Sequence, residues 1–227
     1  MRARRIIFWR HGRTQWNHIG RFQGHEDVAL DETGRAQAAA VAPALARLGF
    51  DVIVSSDLVR ARDTAAAVGV VTGLTVTHDE RLREGWLGPW QGLTITQARE
   101  QVPAEYADWV AGRQRPGVEP NAEVGARMVA ALSDVDAEQV LAVSHGGSIR
   151  SALVTMLGLR EVDRGALAPL SNCRWSILER DGERWTLDQH NVGVSRAPDD
   201  HGATAYDDAL TAAHREAVPI ERRRPRA

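Results

Sequence analysis

The chain has 227 residues, 43% of them hydrophobic and 26% charged, with a formal net charge of −2. That is the composition of a soluble globular protein with room for one sizeable α/β core, and it argues against nucleic acid as the main partner. All 28 basic residues are arginine, which excludes Schiff-base and P-loop lysine chemistry, and the single Cys173 excludes an intramolecular disulfide or a thiolate zinc cluster.

The first element is the apolar run Ile6-Ile7-Phe8-Trp9, a buried strand by pattern. It is too short for the roughly 7–15 apolar residues of a signal-peptide core, and no run approaches the roughly 18 of a membrane span. The expectation is a cytoplasmic protein with no membrane partner. Residues 16–30 are polar and carry Gly20 and Gly24, the pattern of a functional loop. A helix is predicted over Thr33–Leu48, closed by Gly49, and a second strand over Asp51–Ser56. A helix over residues 58–71 and a short strand over 74–77 follow. Arg81–Gly92 is a loop with two tryptophans and three glycines. Thr94 and Gln97 have capping-box spacing at the start of a helix that Pro103 breaks. Further helices are predicted over 104–111 and 122–132, then a strand over Gln139–Ser144 and a helix over Gly147–Leu157. Runs over Cys173–Leu178 and Arg184–Asp188 flank Arg180-Asp181-Gly182-Glu183, in which Asp-Gly is a hairpin signal. Beyond about residue 195 the chain turns polar, with a short helix predicted over 205–218 and a disordered basic end. Strands alternate with helices, so the fold class is α/β: a three-layer α/β/α sandwich with a mainly parallel sheet. Residues 1–195 form one domain and residues 196–227 a partly disordered tail.

Arg10-His11-Gly12 stands at the carboxyl end of the first predicted strand, and Ser144-His145-Gly146-Gly147 at that of the strand over 139–144. Open α/β sheets place their ligand crevices at those ends. Gly12 allows a sharp turn and close approach of a ligand to the backbone. Arg60 follows the second strand at the same edge. Two arginines and two histidines converging there suit a tetrahedral dianion, through forked guanidinium contacts and imidazole donors.

These segments resemble the histidine phosphatase superfamily, which includes the cofactor-dependent phosphoglycerate mutases. The resemblance runs through Arg10-His11-Gly12, Thr14 with Trp16-Asn17, Gly20 to Gly24, and Ser56 with Leu58-Val59-Arg60-Ala61. It continues through Leu82-Arg83-Glu84, Gly88 to Gly92, and Ser144 to Gly147. It implies His11 as nucleophile, Glu84 as general acid, and Arg10, Arg60 and His145 as the phosphoryl-binding set. Asn17, Gln23, Gly24 and Gly146 join them as substrate-binding positions, and Arg13 is placed at the mouth. No metal and no cofactor are implied; the partner is a small-molecule phosphoester, and a homodimer is common in the family.

Departures from the family pattern fall at the mouth. Arg13 replaces an acid or Gln, Gln91 stands where Glu is frequent, and Pro120-Asn121-Ala122-Glu123-Val124 replaces Pro-Gly-Gly-Glu-Ser. Trp9 and Trp175 are expected in the core; Trp86 and Trp90 are candidates for the mouth; Arg62 is read as a surface residue. Mutases of the family carry an insertion after the glutamate loop, with a lysine in its signature. Here about thirty residues separate Gly92 from Ala122 and there is no lysine, which points to the phosphatase branch. Within that branch, Ser55 to Leu58, Leu82-Arg83-Glu84 and Leu87 to Thr94 resemble the glucosyl-3-phosphoglycerate phosphatases. The competing readings are a mutase, a non-catalytic phospho-ligand binder, which predicts a lost nucleophile, acid or arginine, and a metal-dependent hydrolase, for which the ligand spacing is missing.

Overall fold

Every residue of β1 (Arg5–Arg10) after the first is buried, and its side chains alternate between two cores. Ile6 and Phe8 face one side; Ile7 and Trp9 face the other. This period of two is what a strand sandwiched between helical layers requires. The computed structural model describes residues 1–110, 113 and 116–194. In it, β1 pairs in parallel with β4 (Gln139–Ser144), which pairs in parallel with β2 (Val52–Ser55), which pairs with β3 (Val76–His78). On the other side of β1 lies the antiparallel hairpin of β5 (Trp175–Asp181) and β6 (Arg184–Val192). The order is β3-β2-β4-β1-β5-β6. The first four strands carry out the expected parallel sheet.

Two helices cover one face and two the other. α2 (Glu32–Ala46) and α3 (Val59–Thr72) bury Val41, Leu45, Ala61, Ala65 and Val68 against Ile7, Trp9, Ile53 and Leu141. α6 (Asn121–Ser133) and α7 (Gly146–Met156) bury Val124, Met128, Ile149 and Leu153 against Phe8, Val54 and Ala142. Each fully buried Val, Leu, Ile, Phe or Met among them contributes roughly 1.5–3 kcal/mol. A third, smaller cluster joins Phe22, Trp90, Ala98 and Val118 and includes residues of α4 (Ile95–Gln101) and α5 (Pro103–Val110).

Several boundaries move for identifiable reasons. α2 starts at Glu32, not Thr33, because the Asp31 carboxylate caps the Gly34 N–H at 2.7 Å. The capping box of α4 forms with both Thr94–Gln97 bonds. Pro103 does more than end α4: it opens α5, where its missing N–H costs nothing. The hairpin forms within the expected segment, with Gly182-Glu183 as its two-residue loop; Gly182, at φ +59°, takes the first loop position. Residues 16–30 are not wholly loop. A short helix, α1 (Gln15–His18), forms where Thr14 and Asn17 make a capping box. Gly12 is required for a different reason than expected: a Cβ there would meet the Gly34 carbonyl oxygen at 2.4 Å. The glycine pair lets the turn after β1 press against the first turn of α2. The helix expected over 205–218 and the tail beyond 195 lie outside the described residues. Among the described residues no helix is long and apolar enough to cross a membrane.

Candidate active site

The β1–β4 register pairs Arg10 with Ser144, so His11 and His145 leave adjacent parallel strands side by side. Their ring centroids are 5.1 Å apart. His11 is 3% exposed, and its Nδ1 lies 2.7 Å from the Gly12 carbonyl oxygen. A carbonyl only accepts, so Nδ1 carries the proton and Nε2 keeps the lone pair. Burial, then the cations of Arg60 and Arg10, push the His11 pKa well below its ordinary value near 6.5, against a smaller opposing pull from the Gly12 bond. The ring is therefore neutral at pH 7.

Arg60 is fully buried in the first turn of α3. Its Nη1 donates to the Glu26 carbonyl and its Nη2 to the Gly24 carbonyl, both at 2.7 Å, and its Nε donates to His145 Nδ1 at 3.1 Å. Burial lowers its pKa to about 10, with Glu84 and Asp27 pulling the other way, so it stays charged. His145 Nε2 lies 2.9 Å from Ser56 Oγ. The His145 pKa is pushed well below 6.5 by burial first, then by Arg60 and His11. Arg10 is 3% exposed, and its Nη1 donates to the Leu170 carbonyl. A Cβ on Gly146 would approach Arg10 Nε at 3.2 Å, so this glycine leaves Arg10 room against the start of α7.

Asn17 is buried beside them. Its Oδ1 accepts from the Thr14 N–H at 3.1 Å and from Asn172 Nδ2 at 3.4 Å, which leaves its own amide N–H groups for a ligand. Gln23 Oε1 accepts from the Thr14 hydroxyl at 3.1 Å. Gly24, at φ +53°, presents the carbonyl that Arg60 uses. Arg13 does not join this group. Its Nε donates to Asp31 at 2.8 Å and its Nη2 to Thr33 at 2.8 Å, which draws the guanidinium onto the cap of α2. The adjacent carboxylate, not a ligand at the mouth, supplies its partner.

Glu84 seats on the start of α7, the helix whose N-cap is His145. Its Oε1 accepts from the Ser148 N–H at 2.9 Å and its Oε2 from the Gly147 N–H at 3.1 Å, the first turn of α7. His145 is the N-cap of that helix and makes no side-chain cap, so Glu84 satisfies donors that the helix leaves open. A Cβ at Gly147 would stand 2.7 Å from Glu84 Oε1, so glycine is what admits the carboxylate.

The loop carrying Glu84 is held by Arg127 and Glu119, neither of them among the expected site residues. Arg127, on α6, donates to the carbonyls of Arg81 (2.7 Å), Arg83 (2.8 Å) and Glu84 (2.9 Å), and bonds both carboxylate oxygens of Glu119. Glu119 also accepts from the Trp86 N–H, and although its burial acts in the opposite direction, the Arg127 and Trp86 bonds hold its pKa below the usual range. Arg83 pairs through two N–H groups with Asp57 at 2.8 and 2.5 Å. His25 Nε2 donates to the Glu84 carbonyl at 2.8 Å, and its ring meets Trp86 edge-on.

Trp86 is 44% exposed beside this loop. Trp90 is not at the mouth: it is 1% exposed and packs with Phe22 and Trp109 in the third cluster. Trp9 and Trp175 are core, and Arg62 is exposed, as expected. Gln91 Oε1 accepts from the His25 N–H at 2.8 Å while its Nε2 faces Glu26 at 3.4 Å; a glutamate there would set two carboxylates together. Among the described residues, no group of three or more His, Cys, Asp or Glu side chains is placed to hold a metal ion.

The family model of the histidine phosphatase superfamily, branch 1, matches residues 6–193. A glucosyl-3-phosphoglycerate phosphatase of Mycobacterium tuberculosis is 38% identical over 221 residues, 88% of this chain and 99% of the relative. A probable phosphoglycerate mutase of Yersinia pestis is 36% identical over 187 residues, 79% of this chain and 86% of that one. Among solved structures, a mycobacterial glucosyl-3-phosphoglycerate phosphatase complexed with VO3 superimposes with a TM-score of 0.78 at 40% identity, over 84% of this chain and 100% of that one. The alpha-ribazole phosphatase of Shigella flexneri does so with a TM-score of 0.73 at 26% identity, over 85% of this chain and 100% of that one. The paired strand-end histidines and the match over nearly the whole described chain lead to one conclusion: the chain belongs to the histidine phosphatase superfamily, and it is a phosphomonoester hydrolase of that superfamily.

Proposed function

We propose that His11 is the nucleophile, Glu84 the proton donor and acceptor, and Arg10, Arg60, His145 and Asn17 the phosphoryl-binding set. The observation that carries this reading is the His11 Nδ1–Gly12 carbonyl bond, which leaves Nε2 with its lone pair beside two buried cations, Arg10 and Arg60. Nε2 attacks phosphorus in line, the bond to the leaving oxygen breaks, and Glu84 delivers its proton to that oxygen. Water then attacks the phosphohistidine; Glu84 takes the water's proton, the P–N bond breaks, and phosphate leaves. Fixed donors on the equatorial oxygens stabilise the charge of both transition states.

The substrate within this reading is glucosyl-3-phosphoglycerate. The relatives of that name cover 88% of this chain, against 79% for the mutase relatives. Trp86, exposed beside His25 and the Glu84 loop, offers an apolar face for a sugar ring. A cytoplasmic location and a homodimer are further parts of the reading, carried by the sequence and the family resemblance. The test compares phosphate release from glucosyl-3-phosphoglycerate, p-nitrophenyl phosphate and 3-phosphoglycerate, the last with catalytic 2,3-bisphosphoglycerate. Preference for the glucosylated substrate supports the assignment. No preference over p-nitrophenyl phosphate removes the substrate but leaves the phosphatase. Rapid formation of 2-phosphoglycerate with little phosphate would make the enzyme a mutase.

A further inference from the structure

We infer that Arg127, held by Glu119, is the positioning residue for the general acid: it fixes the backbone of the Glu84 loop so that the carboxyl meets the leaving oxygen. The inference rests on Glu84 being that acid.

Arginine has five N–H donors in a rigid fork. Arg127 spends all five on this loop and its brace. Nε and one Nη2 donor go to Glu119; the other Nη2 donor goes to the Glu84 carbonyl; Nη1 serves the Arg81 and Arg83 carbonyls. No phosphate-binding role is left for it. Glu119 in turn fixes the other side of Glu84 through the Trp86 N–H at 2.9 Å. The Glu84 carbonyl receives a second donor from His25 Nε2. The segment from Arg81 to Trp86 is thus tied at four backbone positions by one partly buried ion pair, with 20% and 16% of its side chains exposed. The loop has little regular structure of its own, a three-residue 3-10 turn over Glu80–Leu82. The Glu84 side chain is guided separately by Gly147 and Ser148, so the two anchors locate it from both ends.

A loop so fixed matters most when proton delivery limits the rate. The variants are Arg127→Met and Glu119→Gln, with Glu84→Gln as reference. The substrates are p-nitrophenyl phosphate, whose leaving group departs with little help, and an alkyl phosphate, whose leaving group needs the proton. Positioned acids contribute about 10²–10⁴-fold. Glu84→Gln is expected to lose most of that on the alkyl ester and far less on the aryl ester. Arg127→Met is expected to reproduce the same selectivity at roughly 30-fold on the alkyl ester, a fraction of the acid's full contribution. Glu119→Gln, which keeps one oxygen for Trp86, is expected to show a smaller loss of the same kind. If Arg127→Met does not fold by thermal melt, Glu119→Gln decides. Equal losses on both esters, or none, in the folded variants while Glu84→Gln remains selective would overturn the positioning role. A Glu84→Gln variant that is itself unselective would overturn the acid assignment, and this inference with it.

Discussion

Arg60 and His145 are joined side chain to side chain, Nε donating to Nδ1 at 3.1 Å. A guanidinium has no acceptor, so Nδ1 of His145 is the lone-pair nitrogen and the neutral ring carries its proton on Nε2, toward Ser56 Oγ at 2.9 Å. One cation therefore orients two parts of the site. It locks the tautomer of His145 and, through the Gly24 and Glu26 carbonyls, closes the loop after α1 over the strand ends.

Keeping both histidines neutral has a consequence for stability. Burial first, then neighbouring cations, places the pKa of His11 and of His145 well below 6.5 in the folded state. Below 6.5 the unfolded chain binds protons that the folded chain refuses, so the stability is present above pH 6.5 and is lost as the pH falls. Each such group contributes a slope of up to about 1.4 kcal/mol per pH unit in that window. His25 and His190 shift the same way, burial again leading. Urea unfolding between pH 7.5 and 5 is expected to show falling stability, with a shallower slope in His145→Gln. A flat profile would contradict the neutral-histidine account. Phosphate turnover should keep its nucleophile active well below pH 6.5, because protonation of His11 sets in only there.

Arg13 is expected to act on the fold and not on substrate choice. Its pair with Asp31 is partly buried, with 27% and 15% of the side chains exposed. Arg13→Gln should cost on the order of 1 kcal/mol, the upper end for such pairs, at unchanged kcat/KM for neutral and anionic phosphoesters alike. A loss confined to anionic substrates and relieved by salt would return Arg13 to the mouth.

Two glycines make sharper tests. A Cβ at Gly34 would stand 2.0 Å from the Arg13 carbonyl oxygen, a backbone atom that cannot step aside. Gly34→Ala should cost about 1–3 kcal/mol or more, measured by denaturant unfolding; an unchanged midpoint would show that the turn after β1 can yield. At Gly147 the obstacle is the Glu84 carboxylate at 2.7 Å. Gly147→Ala should leave stability near wild type and lower kcat on an alkyl phosphate by on the order of 10²-fold, the cost of a displaced catalytic group. Retained alkyl turnover would show that the acid does not need its seat on α7.

The sheet, its parallel half and the two His-Gly strand ends were legible because each is local: a short apolar run, a polar break, a helix with a cap. Parallel pairing of β1 with β4 then brings residues 134 positions apart into contact, and Arg60 joins them from the first turn of α3, the helix after β2. What holds the acid was not legible. Arg127 lies in the middle of an amphipathic helix and bonds carbonyls 43 to 46 residues earlier, and carbonyls leave no mark in a sequence. Asn172, which bonds the His11 carbonyl at 3.0 Å, sits in an unmarked turn before β5. The loops of Trp90 and Arg13 point to the mouth in sequence, and the structure gives both side chains partners elsewhere. Trp90 instead finds Phe22, Tyr106 and Trp109, aromatic partners from other segments, and Arg13 finds an acid one bridge away at Asp31.

In the proposed reaction His11 takes the phosphoryl group on Nε2. Rapid mixing of enzyme with p-nitrophenyl phosphate, quenching in base to preserve an acid-labile P–N bond, and peptide mass spectrometry locate it directly. A single phosphoryl group is expected on His11, absent from His11→Ala, whose turnover should fall by on the order of 10³–10⁶. A phosphoryl group on another residue, or His11→Ala turning over within about a thousandth of wild type or better with no phosphohistidine formed, would contradict it.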